Sequence, residues 1–160
     1  MRTNNKIVDR ENIQKLVRQL KNKNKTIVFT NGCFDILHVG HVVLLEKARS
    51  QGDELILGLN TDESVQRLKG DKRPINFQDE RARVLAGLEA VSYVTFFSED
   101  TPAELIQEIV PDILVKGGDY ELNEIVGRET VEENGGQVIT IPLVKGRSTS
   151  NLINKIKQNF

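Results

Sequence analysis

The chain has 160 residues, of which 28% are charged and 38% hydrophobic, proportions that fit a globular protein. Its 22 lysines and arginines nearly balance 23 aspartates and glutamates, so no basic field favours nucleic acid, and no apolar run approaches the roughly 20 residues that span a bilayer. The single cysteine excludes an internal disulfide, and the first residues carry no hydrophobic signal segment. We therefore expect a cytoplasmic protein with no nucleic-acid or membrane partner.

Near the N-terminus, apolar residues recur at helical spacing, at Ile13, Leu16, Val17 and Leu20. This repeat predicts an amphipathic helix over about residues 10–23, which packs either on a sheet or on a second subunit. We expect a single domain (1–160) that consists of this leading segment (1–24) and an α/β core (25–160).

The most informative stretch is T-N-G-C-F-D-I-L-H-V-G-H at residues 30–41, which joins a predicted strand (26–29) to a predicted helix (42–48). Ligands bind at the carboxyl ends of parallel strands, and a helix N-terminus offers N–H groups to phosphate. The only two histidines, His38 and His41, are three positions apart. If the helix begins near residue 39 or 40, both side chains project from its first turn toward the expected phosphate site. Alternatively they are surface residues or caps. A zinc site is disfavoured because Cys33 is the only sulfur ligand.

A second strand is predicted at 55–59, and it ends at Asn60. The basic segment that follows, residues 67–77, contains Lys69 and Arg73 and is either a solvated loop or a flap over a phosphorylated substrate. A helix is predicted over 78–89, where Arg81 either faces solvent or reaches the site.

The second half of the chain continues the alternation, with strands predicted at 93–97, 113–115 and 138–141. Thr101-Pro102 predicts a capped helix start after the first of these strands. Lys116-Gly117 follows the next one, and Gly146 to Ser150 follows the last, just before a predicted helix. Glycines permit close backbone approach to a ligand, and hydroxyls at a helix start bind phosphate or simply cap the helix.

Five strands that alternate with helices predict an α/β fold, a Rossmann-like three-layer domain with a mostly parallel five-stranded sheet. Four of the five strand ends carry glycine, basic or hydroxyl residues, which indicates a phosphate-handling site. The first turn has no G-x-G-x-x-G, so a dinucleotide oxidoreductase is disfavoured.

A family resemblance covers residues 10–158 and lies in five segments: N-G-C-F-D-I-L-H-V-G-H, L-N-T-D, R-L-K-G-D-K-R-P-I-N, L-V-K-G-G-D-Y and G-R-S-T-S-N-L-I. In this order they resemble the heptose 1-phosphate adenylyltransferases of the cytidylyltransferase-like nucleotidyltransferase superfamily, which has an H-x-G-H turn. The resemblance implies transfer of AMP from ATP to D-glycero-β-D-manno-heptose 1-phosphate, giving ADP-heptose and pyrophosphate for lipopolysaccharide core synthesis. It also implies Mg²⁺ bound with ATP and a homodimer.

In many bacteria this activity forms the C-terminal half of a protein whose other half is a sugar kinase. A chain of 160 residues has no room for that kinase, so the resemblance implies a stand-alone form or an isolated half.

The resemblance also assigns roles to individual residues. The implied catalytic residues are His38, His41 and Lys69, and the protein itself is expected to supply no metal ligand. The implied nucleotide-binding residues are Thr30, Asn31, Gly32, Cys33, Phe34, His38, Gly40, His41, Lys116, Gly117, Asp119, Ser148, Thr149 and Ser150. The implied substrate-binding residues are Asp35, Asn60, Lys69, Arg73 and Arg81.

The chain departs from the superfamily at one place. Related cytidylyltransferases read R-T-x-G-[IV]-S-T-[ST] where this chain reads L-V-K-G-R-S-T-S, so the leading arginine is absent and Arg147 offers its charge at a different position. Two alternatives stay open: a cytidylyltransferase that acts on glycerol 3-phosphate or a similar small phosphate, and a regulatory nucleotide-binding module without turnover. Intact His38, His41 and Lys69 argue against the regulatory module.

Overall fold

The computed structural model describes residues 3–118 and 120–159. The strands are β1 (Ile27–Gly32), β2 (Glu54–Asn60), β3 (Tyr93–Phe97), β4 (Ile113–Gly117) and β5 (Gln137–Ile141). The helices are α1 (Arg10–Asn22), α2 (Val39–Arg49), α3 (Asp62–Lys69), α4 (Gln78–Ala86), α5 (Ala103–Ile109), α6 (Arg128–Glu133) and α7 (Thr149–Asn159). Two short 3-10 helices lie at Asn4–Lys6 and Leu122–Glu124.

All five strands pair in parallel, in the order β3-β2-β1-β4-β5. The chain first winds outward from β1 to β3 at one edge, then returns beside β1 and winds outward to β5. The order therefore reverses between β1 and β4, and such a switch point opens a crevice at the carboxyl ends of the strands. The predicted α/β fold is confirmed, and the sheet is entirely parallel.

Helices cover both faces of the sheet. On one face, α2 and α4 pack against residues such as Val28, Leu57 and Val115. On the other face, α1, α5 and α6 pack against residues such as Phe29 and Ile56. Alternating residues of a strand point to opposite faces, so the continuous apolar runs of β1 and β2 serve both layers.

The leading helix α1 belongs to one of these layers. It buries Ile13, Val17 and Leu20 against the sheet and α5. Arg10, its first residue, binds both carboxylate oxygens of Glu108, at 2.7 and 2.8 Å. Of the two placements expected for this helix, packing on the sheet is the one observed.

Helix α5 starts one residue later than predicted. Pro102 occupies the N-cap position and Ala103 is the first helical residue, so the prediction that Thr101 caps the helix is wrong. Thr101 instead lines a cleft at the sheet edge.

Candidate active site

A cleft of about 590 Å³ opens at the carboxyl edge of the sheet. Residues at or just beyond the ends of all five strands contribute to its walls, as the switch point between β1 and β4 predicts. The predicted site residues that line it are Asn31, Gly32, Cys33, Phe34, Asp35, His41, Asn60, Lys69, Arg73, Lys116, Ser148, Thr149 and Ser150.

Five other predicted site residues stand behind these walls. Thr30 is buried within β1, and Gly117 ends β4 against Leu44 of α2. His38, Gly40 and Arg81 contact residues that line the cleft or hold its walls in place. Asp119 lies outside the described residues.

The turn after β1 folds back on itself at Phe34. This residue has a φ of +44°, a left-handed conformation that is uncommon for a bulky side chain. Its ring is buried, with its centroid 5.0 Å from that of His41. A Cβ atom on Gly32 would lie 2.8 Å from the Phe34 ring, so only glycine leaves room for this turn.

The two histidines form a stacked pair at the start of α2. His38 is the N-cap residue, and its ring centroid lies 3.8 Å from that of His41, with 20° between the planes. A Cβ atom on Gly40 would lie 3.0 Å from the His38 ring, which explains the glycine between them.

Both histidines have an unsatisfied ring nitrogen. Within 3–118 and 120–159, the buried Nδ1 atoms of His38 and His41 have no hydrogen-bond partner. Leaving such an atom unpaired costs about 1–3 kcal/mol, and buried polar groups normally pair with protein, water or ligand.

Burial sets the protonation state of the pair. It lowers the pKa of His41 to about 4, with a further contribution from His38. Burial also lowers the pKa of His38, and the charge of Arg147 adds to that effect. Both rings are therefore neutral near pH 7, and each carries one N–H that can donate to a phosphate oxygen.

We expect the free energy of unfolding to fall as the pH drops from about 6.5 to about 4. The folded pKa of His41 lies below its unfolded value, so the unfolded chain binds more protons in this window and gains stability relative to the fold. Urea unfolding of the wild type and of His41→Gln at pH 7, 6, 5 and 4 measures this dependence. The wild type should lose stability more steeply than His41→Gln, and equal slopes would contradict this prediction.

Cationic side chains flank the histidines. Lys116, near the end of β4, is partly buried, which lowers its pKa, and its Nζ lies 5.4 Å from the centre of the Tyr120 ring. Lys69 ends α3 and is exposed on the cleft wall. Arg147 also lies close to the pair, since its Cβ is 3.5 Å from the Cβ position of Gly40. The site therefore brings positive charge to the cleft.

Asp35 lines the cleft, but its carboxylate binds the basic segment of residues 67–77, which we call the basic loop. Its carboxylate accepts hydrogen bonds from Arg73 Nε at 2.5 Å and from the backbone N–H groups of Ile75 and Asn76 at 2.7 and 3.0 Å. The side chain is only 1% exposed. Asp35 therefore anchors residues 73–76 in this structure, and its substrate contact stays a prediction.

Arg81 is buried behind the cleft, with a fully covered side chain. It donates hydrogen bonds to the carbonyl oxygens of Cys33, Asn60 and Asn76 and to the Asp62 carboxylate, at 2.7, 2.9, 3.0 and 2.7 Å. These acceptors belong to the turn after β1, the end of β2, the basic loop and the first turn of α3. In this structure Arg81 therefore fixes the backbone around the site, and its substrate contact stays a prediction.

Several cleft residues lie outside the five segments of the family resemblance. Among them are Asp100, Thr101 and Val126, which line the same cavity. The only signal that could have placed Asp100 and Thr101 at the site was their position just after a strand, since parallel strands end at one edge.

The described ranges contain no group of three or more His, Cys, Asp or Glu side chains placed to hold a metal ion. Nor does any helix in this part of the chain have the length and apolarity needed to cross a membrane.

The chain is similar in sequence to part of two longer bacterial proteins. It is 57% identical over 152 residues to "Bifunctional protein HldE" of Wolinella succinogenes and 55% identical over 157 residues to the protein of that name from Aliarcobacter butzleri. These matches cover 95% and 98% of the chain but 31% and 32% of the relatives, so the chain spans about a third of their length.

Solved structures share the fold. A lipopolysaccharide core biosynthesis protein from Thermoplasma volcanium is 27% identical, with a TM-score of 0.62 over 77% of this chain and 99% of that one. A pantoate-beta-alanine ligase from Francisella tularensis is 17% identical, with a TM-score of 0.58 over 96% and 79%, and shows likeness in fold alone. The family model described as cytidylyltransferase-like matches residues 29–155, from β1 into α7. The chain therefore belongs to the cytidylyltransferase-like family of nucleotidyltransferases.

Proposed function

We propose that the chain is a single nucleotidyltransferase domain that transfers AMP from MgATP to D-glycero-β-D-manno-heptose 1-phosphate, producing ADP-heptose and pyrophosphate. The observation that carries the proposal is the His38–His41 stack at the start of α2, beside a cleft that Lys69 and Lys116 line. Neutral donors, cations and a helix N-terminus suit a triphosphate.

The reaction requires positioning and charge stabilisation more than covalent chemistry by the protein. An oxygen of the sugar phosphate attacks the α-phosphorus of ATP in line, the bond from this phosphorus to the bridging oxygen breaks, and pyrophosphate leaves with that oxygen. The attacking phosphate is already ionised near neutral pH, so no general base is needed. Cys33 is not assigned as a nucleophile because burial raises the pKa of its thiol.

The sheet order suggests how the two substrates divide the cleft. The loops after β4 and β5 supply Lys116 and Ser148 to Ser150, and the nucleotide phosphates would lie between them and the histidines. The loops after β2 and β3 lie on the other side of β1, where Lys69 and Arg73 would hold the sugar phosphate. Lys69, on the wall between these regions, would bridge the phosphates as charge develops at the transferring group.

The choice of heptose rests on the relatives and on the sequence motifs. The relatives are described as bifunctional and match over about a third of their length, and the Thermoplasma structure is described as a lipopolysaccharide core biosynthesis protein. These descriptions agree with the K-G-D-K-R-P and V-K-G-G-D-Y segments that resemble heptose enzymes. A cytoplasmic location, where ATP is supplied, and a homodimer are parts of the same proposal.

The direct test is pyrophosphate release in the presence of Mg²⁺ with ATP, CTP, GTP or UTP, each paired with β-heptose 1-phosphate, its α-anomer or glycerol 3-phosphate. We expect kcat/KM for ATP with the β-heptose phosphate to exceed every other pair by about 100-fold or more. A preference for CTP with glycerol 3-phosphate would replace the proposed substrates but keep the proposed nucleotidyl transfer. Nucleotide binding without release from any pair would instead indicate a regulatory module.

A further inference from the structure

Two polar residues of the cleft have no part in the chemistry described so far. Asp100 and Thr101 belong to the loop between β3 and α5, and both line the cavity. Strands β3 and β5 form opposite edges of the sheet, so this loop lies at the end of the cleft away from α7. Under the proposed division of the cleft, it faces the acceptor rather than the nucleotide phosphates.

The loop is held in place by α3 and the residue before it. Arg67 donates from Nε to an Asp100 carboxylate oxygen at 2.8 Å and also binds the Ser98 carbonyl. Ser64 donates from Oγ to the Glu99 carbonyl at 3.1 Å, and the Thr61 N–H donates to the Phe97 carbonyl at 3.0 Å. Asp100 is therefore oriented from one side while its side chain remains 70% exposed.

The negative charge of Asp100 is informative about the acceptor, because both substrates of the proposed reaction are themselves negatively charged. The carboxylate accepts hydrogen bonds but repels phosphate, so a bound substrate has to place neutral groups beside it. The adjacent Thr101 hydroxyl both donates and accepts. Together the two side chains suit the hydroxyl groups of a polyol, and the charge of Asp100 opposes a second phosphate at the same place.

We propose that Asp100, assisted by Thr101, recognises acceptor hydroxyl groups far from the transferred phosphoryl group and excludes acceptors with a second phosphate there. This assignment rests on the proposed function, since it presumes a sugar phosphate acceptor. It makes the loop after β3 a determinant of acceptor choice, separate from the histidines and lysines that handle the phosphates.

The test separates hydrogen bonding from charge with two substitutions at one position. Asp100→Ala removes both, and we expect it to raise KM for the heptose phosphate about tenfold while KM for ATP is unchanged, the effect of losing one charge-assisted hydrogen bond. Asp100→Asn keeps an accepting oxygen but removes the charge. We expect Asp100→Asn to lower about tenfold the ratio of kcat/KM for the sugar 1-phosphate to kcat/KM for the same sugar with a second phosphate on its terminal carbon.

Asp79→Asn, with the same change of charge on the exposed first turn of α4, is the matched control and should alter neither ratio. An increase in KM for ATP instead would assign Asp100 to the nucleotide, and unchanged acceptor kinetics in native-like variants would also overturn the proposal. If Asp100→Ala does not fold, the isosteric Asp100→Asn still tests the proposal, through its ratio of kcat/KM values for the two acceptors. Absence of wild-type turnover with every sugar phosphate is a distinct result that removes the proposed function and this assignment with it.

Discussion

Replacing either histidine of the stacked pair with alanine should lower kcat for pyrophosphate release by about 100- to 1,000-fold, the range expected when one preorganised donor to developing charge is lost. His38 and His41 stack at 3.8 Å and have buried nitrogens without partners in the described structure. Because the rings carry no net charge near pH 7, their loss removes donors without removing a salt bridge. The measurement is steady-state turnover at saturating MgATP and sugar phosphate.

Gln at either position offers a matched test, since its amide keeps one donor of similar reach. His38→Gln and His41→Gln should retain more activity than the alanine variants. Circular dichroism and urea unfolding of each variant report whether the fold is intact. A natively folded His38→Ala or His41→Ala enzyme with undiminished turnover would sink the catalytic assignment of that residue.

Arg81→Met should reduce the free energy of unfolding by about 3–5 kcal/mol, the cost of breaking a buried pair by removing one partner. The substitution keeps an apolar stem but leaves three carbonyl oxygens and the Asp62 carboxylate without their donor. Urea unfolding monitored by circular dichroism measures the change. Arg18→Met, on the exposed face of α1, is the control and should change stability by less than about 0.5 kcal/mol.

Arg81→Lys separates charge from geometry, because an ammonium group cannot reproduce the planar fork that reaches several acceptors. We expect it to fold, with stability between that of the wild type and that of Arg81→Met, and to show lower kcat because the turn after β1 is less well held. Wild-type stability in Arg81→Met would refute the structural role. Wild-type turnover in Arg81→Lys would limit that role to stability.

Much of the fold could be predicted from the pattern of apolar and polar residues along the chain. The apolar runs of β1 and β2, the polar breaks between them and the helical repeat of α1 encode which surfaces are buried. Parallel alternation then places every strand end at one edge. This is why motifs as distant in sequence as His38 and Ser148 were expected at one site before their geometry was known.

Polar residues that turn inward could not be identified in the same way. Arg81 occupies an ordinary helical position, and its burial depends on carbonyl groups that three separate segments bring together. Asp35 lies inside the most informative segment, residues 30–41, yet its carboxylate accepts hydrogen bonds from the backbone of the basic loop. Local periodicity contains no information about either arrangement, because each depends on where backbone donors and acceptors remain unpaired in the folded chain.

The shared anchoring of the basic loop has an evolutionary consequence. Asp35 and Arg81 hold residues 75–76 at one end of the loop, while α3 fixes the other end at Lys69. Deleting residues between these points would pull on the turn after β1, so the loop has a minimum length although it is rich in surface charge. Exposed side chains between the two anchors can be exchanged without moving either anchor, so the charge that the loop presents to the cleft can change while the turn keeps its place.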